Sequence, residues 1–157
     1  MTGKVYEVIV DHGKTVSQMF QEIDQEDCAA INFVSPEVFE SDDQKPTSPE
    51  CEEIGFVLVD LKGKYTILEA KKVLEHLGFE PANGRELMAF AMKFPGVQTQ
   101  VKVMGLKESH YDEKDDMYGY PSLGNLKDGN VNTLTMHFLY DPREVESHHF
   151  RFLAKEK

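Results

Sequence analysis

Histidine and carboxylate side chains are the first candidates for chemistry in this chain of 157 residues, which holds 6 histidines and 28 acids. His148-His149 stand beside Glu144 and Glu146, and His110 precedes Tyr111-Asp112-Glu113 and Asp115-Asp116. Imidazole mixed with carboxylate is a donor set suited to zinc or another divalent ion. His110, Asp112, His148 and His149 are therefore the candidate metal ligands. Their spacing adds nothing, because no His-x-x-x-His pair is present. Solvated histidines and acids are the plainer reading. The run Asp112-Glu113-Lys114-Asp115-Asp116 does not make an EF-hand loop, which needs acid at its third position and glycine at its sixth. Lys114 and Met117 occupy those places.

Other catalytic signatures are missing. The chain has no Gly-x-Ser-x-Gly, so serine-hydrolase chemistry has no support. The segment between Gly124 and Gly129 lacks the Lys-Ser/Thr ending of a phosphate loop. Cys28 and Cys51 form no Cys-x-x-Cys pair, and the acids around Cys51 raise a thiol pKa rather than lower it. The balance leans away from an enzyme, and no cofactor is implied. Tyr111, Met117, Tyr118 and Tyr120 cluster in a polar, glycine-containing stretch. Tyrosine and methionine are types that interfaces favour, so these four are the candidate ligand- or partner-binding residues. Packing of the same rings onto a sheet is the alternative.

The elements that must position these groups follow from periodicity. Residues 5–10 (VYEVIV) read as a strand. Thr15 and Gln18 form a capping-box pair, and Val16, Met19, Phe20 and Ile23 make one apolar helical face. Residues 41–53 (SDDQKPTSPECEE) read as a mobile acidic loop, and 54–61 (IGFVLVDL) as an apolar strand. Two helices follow almost end to end. Thr66 with Glu69 opens the first, Ile67, Ala70, Val73, Leu74 and Leu77 form its stripe, and Gly78 closes it. Asn83 with Glu86 opens the second, Leu87, Phe90, Ala91 and Phe94 face inward, and Pro95-Gly96 stops it. Strands are expected over 101–106, 120–123, 134–140 and 150–154, with 107–130 as a long loop region. The expected fold is α+β: a single domain over 1–157, two consecutive helices and then an antiparallel sheet. Whether residues 1–53 join that sheet stays open.

Two resemblances attach to these residues. Thr66, Glu69-Ala70, Gly78, Pro81-Ala82, Glu86 and Phe90, then Met104-Gly105-Leu106 and Phe150-Arg151-Phe152, resemble the two helices and closing strands of C-type lectin-like domains and the related formylglycine-generating-enzyme fold. The similarity covers 54–157. Capping and C-terminal glycine rules account for several of the same residues. The lectin disulfide cysteines and the Trp-Asn-Asp triplet are absent, and Glu80-Pro81-Ala82-Asn83 lies between the helices. The lectin calcium site and the paired cysteines of the formylglycine enzyme therefore do not carry over. The chain is also similar to small uncharacterised bacterial proteins, through Glu86-Leu87 with Ala89, Ala91, Lys93 and Phe94-Pro95, then Tyr120-Pro121-Ser122-Leu123, then Arg151-Phe152-Leu153-Ala154 through Lys157. That resemblance implies no activity.

Charge narrows the partners. The net charge of −11 argues against nucleic acid, whose binding needs a basic patch. No 18-residue apolar run exists, and the first ten residues read as a strand rather than a signal peptide. A cytoplasmic protein that engages neither membrane nor nucleic acid is expected. The leading function is a non-enzymatic module binding a protein or small ligand through the 107–130 region. The rivals are a metal-dependent enzyme using the His/acid cluster, and an acidic inhibitor or nucleic-acid mimic binding a basic protein surface.

Overall fold

A computed structural model describes residues 4–25, 30–31, 51–97, 100–107, 110–112, 117–126, 131–139, 144–146 and 150–157. The chain is an α+β mixture. Strand β1 (Tyr6–Asp11) turns through Asp11, whose carboxylate accepts from the Gly13 N–H at 2.9 Å, into helix α1 (Val16–Gln25). Thr15 and Gln18 cap that helix reciprocally, at 3.0 and 2.8 Å. After β2 (Ala30–Ile31) come β3 (Cys51–Val59) and β4 (Lys64–Thr66), helix α2 (Ile67–His76), β5 (Phe79–Pro81) and helix α3 (Gly84–Lys93). Both later helices carry the expected capping boxes, Thr66 with Glu69 and Asn83 with Glu86. Gly78 leaves α2 at φ 86°, a backbone angle that glycine adopts without strain. The remaining strands are β6 (Lys102–Met104), β7 (His110–Asp112), β8 (Met117–Leu126), β9 (Val131–Leu139), β10 (Glu144–Glu146) and β11 (Phe150–Glu156).

Among the described residues nine strands form one sheet in the order β1-β3-β11-β6-β8-β9-β2, with β5 also paired to β11 and β7 to β8; β10 pairs β4 separately. Residues before 54 thus join the sheet, through β1 on β3 and β2 on β9. The sheet is mixed rather than antiparallel, because β11–β6 and β2–β9 are parallel. At the first of these, β5 runs against β11 and the α3 segment returns the chain in the opposite sense, so β6 runs with β11.

The two helices of the 66–93 stretch do not pack together in front of a sheet. They cover opposite faces of it. Alternation along the strands sends Val8, Val10, Ile54, Phe56, Leu153, Val103 and Leu123 to one face, where α1 and α3 bury them. Val57, Val59, Phe152, Ala154, Met104 and Tyr120 go to the other, under Ile67, Ala70 and Leu74 of α2. Strand β5 is the passage between the faces, held to β11 at Ala154, Lys155 and Glu156. Leu77, expected in the α2 stripe, is exposed.

The 107–130 region is not a long loop: residues 110–112 and 117–126 are strands. Residues 51–53 of the expected acidic loop likewise belong to β3, and 41–50 lie outside the described residues. Pro121 sits inside β8, where a missing N–H would normally break a ladder. Its carbonyl accepts from the Gly105 N–H at 3.0 Å, on the side where β6 ends and β7 has not begun, so no ladder donor is lost. Gly105 is itself required by close approach: a Cβ there would lie 2.6 Å from the Ala82 carbonyl oxygen. No helix among the described residues is long and apolar enough to cross a membrane.

Candidate functional site

The face covered by α1 and α3 is incompletely closed. Helix α3 stops at Lys93 because Pro95-Gly96 cannot extend it, and a turn through Val97 and Val101 takes over. Tyr6, Leu58, Phe94, Val97 and Val101 are left only half-buried against the core they belong to. Together with Lys4, Gln100 and Arg151 they line an open groove of about 520 Å³. The volume falls within the usual range for small-molecule sites, roughly 300–1,000 Å³.

The groove floor is aromatic. Tyr6 meets Phe90 at 5.4 Å and Phe94 at 5.1 Å between ring centroids, both edge-to-face. Such pairs favour the offset of a positive ring edge over a negative ring face. Phe90 is wholly buried, so it fixes the two outer rings. Lys4 Nζ stands 4.8 Å from the Tyr6 centroid, whereas Lys93 Nζ, 5.6 Å from that of Phe94, lines the neighbouring cleft and donates to the Glu7 carbonyl at 2.5 Å. Arg151 enters from the start of β11. One guanidinium nitrogen lies 3.6 Å from Asp60 Oδ2, and another donates to the Phe150 carbonyl at 3.4 Å. Both contacts are long, so the guanidinium is loosely held.

Two other hollows are less suited to a ligand. A cleft of about 290 Å³ beside β1 is lined by Val8, Met19, Ala89 and Met92, with Lys14 and Glu22 at its rim. Those two charges neutralise each other at 2.8 Å. Buried Arg85 donates to the Asp11 and Lys14 carbonyls and so pins the β1–α1 turn beside it. A third hollow, beside the end of β11, is lined by Glu52, Glu53, Glu80 and Glu156 with Lys155. There Lys155 Nζ is committed to Glu86 at 2.6 Å, while Glu86 also accepts from the Asn83 N–H at 3.0 Å. Burial lowers the Lys155 pKa, but the Glu86 hydrogen bond and charge, with Glu80 and Glu52 behind, more than offset it and hold the ammonium above its ordinary value.

The residues singled out by sequence have other placements. Tyr120 is 4% exposed and packs in the α2-side core, with Lys71 Nζ 5.3 Å from its ring; packing, not exposure, is its role. The register of β7 and β8 sets Tyr111 opposite Tyr118 and Asp112 opposite Met117, and His110 opposite Gly119. The structure describes only the backbones of those residues. His148 and His149 lie outside the described residues. Among the described residues no group of three His, Cys, Asp or Glu is placed to hold a metal ion. The groove residues Lys4, Tyr6, Phe94 and Arg151 were not legible as a set, because they come from three separate segments. The one local signal is the Phe94-Pro95-Gly96 helix stop, which leaves sheet behind it uncovered. Comparison with protein-family models, curated proteins and solved structures gives no match.

Proposed function

We propose that the chain is a non-enzymatic binding module and that it binds a ligand in the Tyr6–Phe94 groove. One observation carries this reading: the aromatic rim of a core is left open, and the charged side chains lining it are Lys4 and Arg151, in a chain of net charge −11. Half-buried rings gain by being covered, and a lysine with no carboxylate among the described residues and an arginine with only a long one both gain by meeting an anion. The ribbon of β7 and β8, with Tyr111, Met117 and Tyr118, is the alternative surface, as expected from its residue types. A C-type-lectin-like arrangement over 54–157 belongs to the same reading, supported by the two capped helices and the pairing of β3 with β11; its departures are β5 between the helices and the placing of α2 and α3 on opposite faces.

The test is a titration of nitrogen-15-labelled protein with a fragment mixture of varied charge, read by amide shifts. Saturable shifts at Tyr6, Phe94, Val97, Val101 and Arg151 are expected. Shifts confined to β7 and β8 would move the site to that ribbon. Shifts at neither would remove the binding-groove reading.

A further inference from the structure

We infer that the groove is built for a small molecule with a flat apolar body and one anionic group, of the aryl carboxylate or aryl phosphate class. The inference rests on the groove reading above and adds the ligand's chemistry to it.

The charge pattern comes first. Three lysines among the described residues are each held by a carboxylate: Lys14 by Glu22, Lys155 by Glu86, Lys157 by Glu75. Lys4 has no ion-pair partner among the described residues and rests over the Tyr6 ring. Arg151 is 30% exposed and keeps Asp60 only at 3.6 Å. Among the described residues no carboxylate lines the groove, and Asp60 reaches Arg151 only at 3.6 Å. Its local sign is therefore opposite to that of the molecule, so it attracts an anion against the general field. A guanidinium presents a rigid planar fork that matches carboxylate or phosphate in two parallel hydrogen bonds, which its present long contacts do not satisfy.

The apolar body follows from the floor. Tyr6 and Phe94 are held edge-to-face, so the two rings present a fixed apolar surface to a third. Lys4 covers one Tyr6 face now. Drawn to the ligand's anion, it would uncover that face for stacking. Gln100 and the Tyr6 hydroxyl, which has no hydrogen-bond partner among the described residues, supply neutral polar contacts at the rim. A fully extended acidic polymer would need more cations along a longer track, and the lining offers two.

The experiment uses the whole chain and five probes in the same amide-shift titration: benzoate, phenyl phosphate, neutral benzamide, acetate and inorganic phosphate. Benzoate or phenyl phosphate is expected to saturate the groove amides at least about tenfold more tightly than benzamide, acetate or inorganic phosphate. The better of the two aryl anions says whether carboxylate or phosphate is the natural group. Arg151→Gln is expected to weaken the aryl anions about tenfold and leave benzamide unchanged. Lys4→Gln, at an exposed position, repeats the test should the first variant fold poorly. Benzamide binding as tightly as benzoate would overturn the anion requirement while leaving the groove as a ligand site. Acetate or inorganic phosphate binding as tightly would overturn the flat body. No shift at the groove with any probe would overturn this inference and the groove reading together.

Discussion

The two ends of strand β11 face opposite solutions to the same problem. Both ends bring a cation to the face that α3 covers, and both border a hollow. At the far end Lys155 meets the 2%-exposed Glu86 at 2.6 Å, and the carboxylate's other oxygen caps α3. Lys155 and both Glu86 oxygens have partners there, in surroundings that carry four further acids. At the near end Arg151 reaches its nearest carboxylate only at 3.6 Å, and the rings beneath it are half-buried. The difference teaches where stability and binding separate. A helix N-terminus supplies its own polar partners through a capping box, so the sheet under it closes. A helix stopped by Pro95-Gly96 leaves its last turn to a loop, so the sheet under it opens.

That contrast can be broken or sharpened by substitution. Glu86→Ala should be the largest effect, about 3 kcal/mol of unfolding free energy, because it removes an α3 cap and leaves the Lys155 ammonium partly buried without its partner. Chemical denaturation measures it; a loss under 1 kcal/mol would mean the far end is no better sealed than the near one. Gly105→Ala comes next, about 1–3 kcal/mol, since its methyl group would press on the Ala82 carbonyl. The same melts on Phe94→Leu should show about 1 kcal/mol, the worth of its edge-to-face contact with Tyr6. Lys4→Gln should stay within about 0.5 kcal/mol of the parent. Near-end variants as damaging as Glu86→Ala would erase the distinction.

A pH series sharpens it further. Lys155 has its folded pKa raised. Its contribution is therefore complete below the ordinary lysine value, about 10.4, and is lost as pH rises through the folded value. Stability should fall at strongly alkaline pH in the parent, and Glu86→Gln, which keeps the cap acceptor but not the charge, should flatten that limb. An unchanged limb would place the alkaline loss elsewhere.

Local grammar was readable in the sequence, and long-range placement was not. All three capping boxes, the Gly78 exit and the inward faces of α1 and α3 follow from contacts within a few residues, where residue type and spacing are the whole physics. Only 120–123 of the 117–126 strand was expected, because Gly119, Pro121 and Gly124 lower strand propensity. Pro121 survives only because β6 and β7 leave a gap beside it, a fact of tertiary pairing. The split of α2 and α3 onto opposite faces was equally hidden, since three residues of β5 look like a linker until β11 is present to pair with them. The groove shares that origin: Lys4, Phe94 and Arg151 meet only when β1, α3 and β11 are assembled.

Strand β11 lies inside the sheet, between β3 and β6, although its residues are the last of those described. During synthesis, β1 and β3 can pair and the later strands can form their own ribbon, but no strand pairing among the described residues links the two halves until residues 150–156 leave the ribosome. Until then β3 and β6 each show a bare hydrogen-bonding edge beside apolar side chains, the state most open to wrong pairing and to capture by chaperones. Pairing between the two halves of the described sheet is therefore completed only once β11 is available.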